Sequence, residues 1–481
     1  MRKLTLFLIC ILLLSLCACG SEGTASTQPS ATTPADATAT TTTPTTAPAT
    51  AVQVGFGDGD ITPDWPCTLQ GYGNDATRIS AGWKTKIYIY CVALTDIDDE
   101  TVLIMSIDAG GGGFEKNIRP IIEETYGIPQ DHIILSAVHQ HSTPTGGKKY
   151  VNLLKTKALE AVDEALNDRA PATMFFNKVE TQAMNFVRNY ITDANGVRQH
   201  ESQADPEMRL IKFVREGAKP VIMVNFQVHP HMGSSSDDVN IHGDWPAIMR
   251  ETVAAEMDAH CIYLSGAGGN MNSTSEFSAE NVSKDWRDHG RRAAEYVMQA
   301  EDSYTQANLG NIEVACEVHA YENDHSMDYL LPGATILHEM RQEDLYAAEG
   351  AVGNYPGINS IYHASAIVDK AAAGPTRDLT IGAISIGDAV FTYHPYEMFD
   401  TNGVELREGT VGNKNYTAEE QMDNPYPMTF VCTLGNGHLG YVPSLLGYTN
   451  GGYSTDITRL APGGGERLVG DYLAMLNELY G

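Results

Sequence analysis

Thr101-Val102-Leu103-Ile104-Met105-Ser106-Ile107 is a run of β-branched and aliphatic residues with only two hydroxyls, Thr101 and Ser106. A helix-length segment, Lys116 to Tyr126, follows it, and then a second short apolar run, His132 to Val138. Short apolar runs bounded by turn residues read as buried strands, so this stretch predicts strand, helix, strand. Upstream, Lys86 to Leu94 is another β-rich run, separated from the first by Asp96-Ile97-Asp98-Asp99-Glu100. That spacer predicts a hairpin. A hairpin beside a strand–helix–strand unit requires a mixed sheet rather than a purely parallel one.

The same alternation continues downstream. Val151 to Leu166 places Leu153, Leu154, Ala158, Val162 and Leu166 at helical spacing, which predicts an amphipathic helix. Met208 to Val214 and Val221 to Val228 flank Glu216-Gly217 as a hairpin. Trp245 to Met257 predicts a helix, Cys261 to Leu264 a strand, and Ser283 to Ala300 a helix with Ser283 as its N-cap. Ile381 to Ile386 and Ala389 to Tyr393 flank Gly387-Asp388, a tight hairpin, and a last helix runs from about Gly465 to Leu479. The expected fold class is therefore α/β, with mixed α+β layers: mixed β-sheets packed with helices in one large catalytic-sized domain over residues 52–481.

Composition narrows the function. The chain of 481 residues is 42% hydrophobic and 19% charged, enough apolar material for a core. Its formal net charge is −30, from 31 basic and 61 acidic residues. Such a surface disfavours nucleic acid, which requires basic patches for phosphates, and anionic lipid surfaces. Arg2 and Lys3 followed by an apolar run from Leu4 to Leu16 form a signal peptide, too short to span a membrane. The run closes Leu16-Cys17-Ala18-Cys19-Gly20, the pattern of a bacterial lipoprotein junction: residues 1–18 leave and Cys19 is lipidated. The alternative is an ordinary secretory signal. Residues 19–51 are rich in Thr, Ala, Pro and Ser, a composition that predicts a flexible spacer. The expected location is extracytoplasmic, with the membrane touched only through Cys19. Cys67, Cys91, Cys261, Cys316 and Cys432 remain, and are read as mostly buried thiols with at most two bridges.

Four places put polar residues at the exits of apolar runs. His139-Gln140-His141 follows the His132 to Val138 run, and His229-Pro230-His231 follows Val221 to Val228. Residues i and i+2 share a face of an extended chain, so His-x-His aims two imidazoles at one point, a pattern suited to a metal. Histidines of a surface loop give the same spacing. His394-Pro395-Tyr396-Glu397 offers one carboxylate among aromatics, and Gly435-Asn436-Gly437-His438-Leu439-Gly440-Tyr441-Val442 combines close-approach glycines with a tyrosine.

In this order and spacing, the elements resemble the catalytic domain of the neutral/alkaline, non-lysosomal ceramidase family. The opening Val54-Gly55-Phe56-Gly57-Asp58-Gly59-Asp60-Ile61-Thr62-Pro63 and Gly71-Tyr72-Gly73 resemble that family's start. Ser136 to Pro144 resembles its His-Thr-His-Ser-Gly-Pro element, Arg188-Asn189 its arginine loop, and Asp205-Pro206-Glu207 its Asp-Pro-Glu element. The resemblance implies a zinc-dependent hydrolase of the amide in N-acyl sphingosine. It implies a zinc ion held by His139, His229, Glu397 and Tyr441, with His141 facing substrate and Arg188 in the cleft. A metal there polarises a carbonyl and lowers the pKa of bound water towards ~7.

Three departures shape the expected chemistry. The family's nucleophilic serine element falls on Gly269-Asn270-Met271-Asn272-Ser273, with Asn272 at the serine position and Ser273 one residue late. A one-residue shift on a strand reverses the side-chain direction. The family's Gly-Tyr-Glu element reads Gly452-Tyr453-Ser454, without its acid. The family's immunoglobulin-like domain is not expected, since the chain ends soon after its last helix. His141, Arg188 and Asn272 are therefore the candidate catalytic residues, with a lipid or other small molecule as partner. The alternative is a metal-binding surface lipoprotein without turnover. Asp108 and the His242-Gly243-Asp244 loop are candidate partners for the metal-bound imidazoles, and His438 is an alternative to Tyr441.

Mass spectrometry of the mature protein is expected to show diacylglyceryl-Cys19 as its first residue. Cleavage elsewhere, without lipid, contradicts the lipoprotein reading.

Overall fold

The computed structural model describes residues 51–72, 77–274 and 282–481. The expected leader, Cys19, the spacer up to residue 50 and Gly73 lie outside the described residues. The described residues all belong to one compact unit.

Two sheets carry the fold. The larger, of nine strands, runs from edge to edge in the order His260–Ser265, Val221–Phe226, Glu207–Arg215, Ala170–Glu180, Gln53–Asp60, Tyr88–Thr95, Thr101–Ile107 and Ile133–Ala137. The short Thr305–Ala307 pairs alongside Ala170–Glu180. The smaller sheet runs Ile312–Glu322, Thr376–Ile386, Ala389–His394, Met428–Thr433. Most pairings are antiparallel. Three edge pairs are parallel: Thr101–Ile107 with Ile133–Ala137, Val221–Phe226 with His260–Ser265, and Ala389–His394 with Met428–Thr433. The mixed sheets expected from the hairpins are thus present.

Period-two alternation sets the layers. In Tyr88–Thr95, Ile89, Cys91 and Ala93 face the helices Glu115–Tyr126 and Lys148–Asn167, while Val92 and Leu94 face the smaller sheet. Thr101–Ile107 divides the same way, with Leu103, Met105 and Ile107 against the helices and Val102 and Ile104 inward. Between the sheets these residues meet Ile384, Ile386, Phe391 and Phe430. Helices Asp244–Met257 and Trp286–Gln299 cover another part of the large sheet through Trp245, Met249, Val253 and Val297. Helix Gly464–Tyr480 closes the outer face of the small sheet through Leu468, Tyr472, Leu473 and Leu476.

The first strand shows why its sequence is glycine-rich. A Cβ on Gly55 would lie 1.9 Å from the Ala165 carbonyl oxygen, and one on Gly57 2.2 Å from that of Ala161. Only glycine lets helix Lys148–Asn167 press its Ala158, Ala161 and Ala165 face onto the strand.

The strand edges meet at one end of the sandwich. Ser106 donates to the Tyr263 carbonyl at 2.6 Å, and Ser136 to the Thr433 carbonyl at 3.0 Å. Thr433 Oγ1 lies 2.9 Å from the Gly266 carbonyl. The two edges of the large sheet and the edge of the small one are thereby tied side by side.

Some local expectations are corrected. Helix Trp286–Gln299 is capped by Asp285, whose carboxylate accepts from Arg287 N at 2.7 Å. Ser283 instead donates to Asp288, because it lies too far upstream to reach the first-turn amides. All five cysteines are free: Cys91, Cys261 and Cys432 are buried, Cys67 is half-buried and Cys316 is exposed. Four substantial elements had no expectation: strands Gln53–Asp60, Ala170–Glu180 and Ile312–Glu322, and the helical segment at 328–373. No helix among the described residues is long and apolar enough to cross a membrane.

Phe430 is fully buried between the sheets, in edge-to-face contact with Phe391 at 5.4 Å. Phe430→Ala is expected to cost about 3–5 kcal/mol in urea unfolding. A loss under about 1 kcal/mol would show that this interface does not hold the sandwich together.

Candidate metal centre

The site forms where the parallel strand pairs end, the usual place for ligand binding in sheets of this kind. His139 follows Ile133–Ala137, His229 follows Val221–Phe226, Glu397 follows Ala389–His394, and His438 and Tyr441 follow Met428–Thr433. His139 takes a left-handed backbone, with φ 76°, as do Leu434 and Asn436 at the exit of Met428–Thr433. Non-glycine residues hold this conformation only where their surroundings impose it. For His139 the restraints are its own N–H to the Ala109 carbonyl at 2.8 Å and Val138 N–H to the Ile107 carbonyl at 2.9 Å.

Two imidazoles and one carboxylate converge. His139 Nε2 lies 3.2 Å and His229 Nε2 3.1 Å from Glu397 Oε2. His141 Nε2 is 3.4 Å from His139 Nε2, and His438 Nε2 is 3.3 Å from Glu397 Oε1. Ring nitrogens of His139, His141 and His229 all fall within 4.8 Å of one another.

The other ring nitrogens fix the tautomers. His139 Nδ1 hydrogen-bonds the Gly110 carbonyl, and His229 Nδ1 the Met271 carbonyl at 2.9 Å. A carbonyl only accepts, so both Nδ1 atoms carry a proton, both Nε2 atoms face inward, and each offers a lone pair there when its imidazole is neutral. Burial pushes His229 down to about 3 and His231 to about 4, and holds His141 well below the ordinary value. Burial acts to lower His139 as well, but the Glu397 charge outweighs it and raises that imidazole. Burial acts to raise Glu397; the charge of His139 outweighs it and holds the carboxyl well below the usual carboxylate range. A neutral His229 therefore presents a lone pair to a carboxylate, a repulsive contact that a cation between them turns favourable. Ligands bound at about 2.0–2.1 Å around a tetrahedral ion stand about 3.3 Å apart, close to the separations found here. The donor set fits a metal such as zinc.

Tyr441 pairs directly with Glu397 in a short parallel bridge between Glu397–Met398 and Tyr441–Val442, and is buried. The Arg188 guanidinium lies 5.2 Å from the Tyr441 ring centre, and Nη2 donates to Ser454 Oγ at 2.5 Å. Arg188 N–H is tied to the Asn270 carbonyl at 2.7 Å, which fixes the arginine loop to the neighbouring strand exit. His139, His141, Arg188, Glu397 and Tyr441 line one cavity of about 910 Å³. His229 lines a narrow recess behind it, with His139 and Glu397. Asn272 flanks the cavity and reaches it through His231, whose Nε2 is 3.2 Å from Asn272 Oδ1. Ser273 is buried.

The expected partners of the imidazoles differ from those found. Asp108 touches neither His139 nor His229. It accepts from Gln140 Nε2 at 2.7 Å and from Arg250 Nη2 at 2.8 Å, and so holds the residue between the two histidines of the loop. Asp244 accepts from Gly233 N–H at 2.7 Å and His242 Nε2 meets Asp238 at 3.0 Å, bracing the loop after His231. Backbone carbonyls do the orienting instead. The glycine run that supplies one of them, Gly110 to Gly113, was not singled out in the sequence. A Cβ on Gly112 would lie 2.3 Å from the Gly437 carbonyl carbon, so the run marks a close backbone approach. Four glycines directly after a strand are the signal that points to it.

No protein-family model matches the chain. Among solved structures it is similar to a neutral ceramidase from Pseudomonas aeruginosa, with 16% identity and a TM-score of 0.66. The match covers 89% of this chain and 75% of that one. A structure of ceramidase complexed with C2 gives the same figures. The chain has the neutral ceramidase fold. The resemblance carried by the histidine, arginine and tyrosine elements thus extends to the architecture that positions them.

His229→Ala is expected to reduce zinc from about one equivalent per chain to well below it, measured by elemental mass spectrometry after dialysis. Unchanged stoichiometry would remove His229 from the ligand set.

Proposed function

We propose that this protein is a zinc-dependent hydrolase of an amide bond in an N-acyl compound, acting outside the cytoplasm. The observation that carries the reading is the convergence of His139 Nε2 and His229 Nε2 on Glu397 Oε2, beside a cavity that also presents Arg188. His139, His229, Glu397 and Tyr441 would hold the metal, which when bound supplies Lewis acidity to a carbonyl and acidifies water. The extracytoplasmic location is supported by the leader and the Cys19 junction in the sequence.

The protein's own groups supply the rest. Arg188 is half-buried, held by Ser454 and Tyr441, and its remaining N–H groups donate to an oxygen that gains charge as the amide is attacked. His141 is neutral, and its Nδ1 is buried without a hydrogen-bond partner. It takes the proton released in attack and returns it to the leaving nitrogen. Asn272 turns its oxygen toward His231, which leaves its Nδ2 hydrogens for the substrate oxygen. An amide side chain is not a nucleophile, so no acyl-enzyme forms.

Asn272→Ala is expected to lower kcat by ~10²–10³ with zinc retained, the usual cost of one lost oxyanion donor. Ser273→Ala is expected to change kcat less than about two-fold. Abolished turnover in Ser273→Ala, with a covalent adduct on Ser273, would replace this mechanism by serine attack. A zinc-loaded protein inert on a panel of N-acyl compounds would favour the metal-binding lipoprotein instead.

A further inference from the structure

Strands Ile312–Glu322 and Thr376–Ile386 pair directly, yet the chain between them leaves the sheet as a helical excursion. Its helices Leu331–Glu343, Leu345–Ala351 and Ile361–Ala373 have their own apolar cluster, built on Ala334, Leu337, Ile358, Ala364 and Ile367. The excursion supplies one wall of the cavity, including Arg341, Val352, Ile361 and Tyr362. It is a cap over the candidate metal centre.

The chemistry of that cavity is not that of a lipid channel. Val352, Ile361 and Ile457 are the aliphatic side chains among its lining residues. Three arginines line it, Arg188, Arg341 and Arg459, in a chain with 31 basic residues against 61 acidic ones. The lining acids are Glu397, engaged with the histidines, and Glu349. Arg459 is ion-paired with Asp369 at 3.0 Å. Arg341 differs: Nη1 donates to Ser365 Oγ at 3.0 Å, and the guanidinium lies 4.9 Å from the Tyr362 ring centre. Both partners are neutral, and among the described residues no carboxylate forms an ion pair with it. A half-buried guanidinium, fixed by a hydroxyl and an aromatic face, presents its remaining N–H groups as a fork matched to a carboxylate.

We propose that the cavity takes an N-acyl compound bearing a carboxylate, with Arg341 of the cap as the carboxylate's receptor. The inference rests on the amide-hydrolase reading for the bond cleaved, and on the cavity wall alone for the anionic group. Arg341 sets specificity and takes no part in the bond-breaking chemistry.

The test compares N-octanoylglycine with the neutral N-octanoylethanolamine and a long-chain ceramide, using the zinc-loaded protein. The expected result is kcat/KM for N-octanoylglycine at least ~10-fold above the other two, since a site built for a polar group rejects analogues lacking it. Arg341→Met is expected to raise KM for the glycine conjugate ~10-fold or more. It should leave the ethanolamide within about two-fold, while Arg341→Lys keeps part of the preference. Equal rates on all three, a preference for ceramide, or equal effects of Arg341→Met on charged and neutral substrates would overturn the proposal. Calorimetric binding of N-octanoylglycine separates the two readings if nothing is hydrolysed. Binding lost in Arg341→Met upholds the receptor while the hydrolase reading falls, and no binding to the unsubstituted protein overturns the receptor.

Discussion

Hydrogen bonds from Ser106, Ser136 and Thr433 hold together the strand ends on which everything else stands. Each hydroxyl is buried and reaches a main-chain carbonyl on another strand edge, so the bonds join elements that do not pair as neighbours. Losing one such hydrogen bond costs about 0.5–1.5 kcal/mol. The consequence for function is geometric. Parallel edge strands end together, and their following loops deliver His139, His229, Glu397 and Tyr441 to one place from distant parts of the chain.

The loops add constraint to that frame. His139 and Leu434 are held in left-handed backbone, and so is Asp244 in the bracing loop after His231. Conformational strain at such positions is characteristic of sites whose side chains must point one way. The Gly110 and Met271 carbonyls then fix both imidazoles with Nε2 inward. Behind them the buried Arg250–Asp108 pair grips Gln140, so the His-x-His loop is anchored by charge at its middle residue. These contacts brace the donors through backbone and buried charge, as in pre-organised donor sets.

Much of this was legible in the sequence, for local reasons. Apolar runs such as Thr101–Ile107 and the Leu154, Ala158, Val162 spacing report burial within a few residues, and each matched an observed element. The two His-x-His motifs were legible because strand exits are local. Glu397 and Tyr441 stood in two of the polar strand exits, but only the family resemblance marked them as ligands. The strand Gln53–Asp60 was missed because its Gly55, Gly57 and Gly59 exist to admit a helix distant in sequence. Ala170–Glu180 was missed because a strand interior to the sheet begins with Ala and Pro, residues of low strand propensity. The cap was illegible as part of the site, since nothing near Arg341 in the sequence says that it faces His139.

The central claim is that His139, His229 and Glu397 meet around a cation. Anomalous diffraction on either side of the zinc absorption edge, from crystals of the protein grown with zinc, tests it most directly. The account predicts a single strong peak within about 2.0–2.2 Å of His139 Nε2, His229 Nε2 and a Glu397 carboxylate oxygen. A zinc-replete crystal with no peak there, and with Glu397 bonded directly to the two imidazoles, would contradict it.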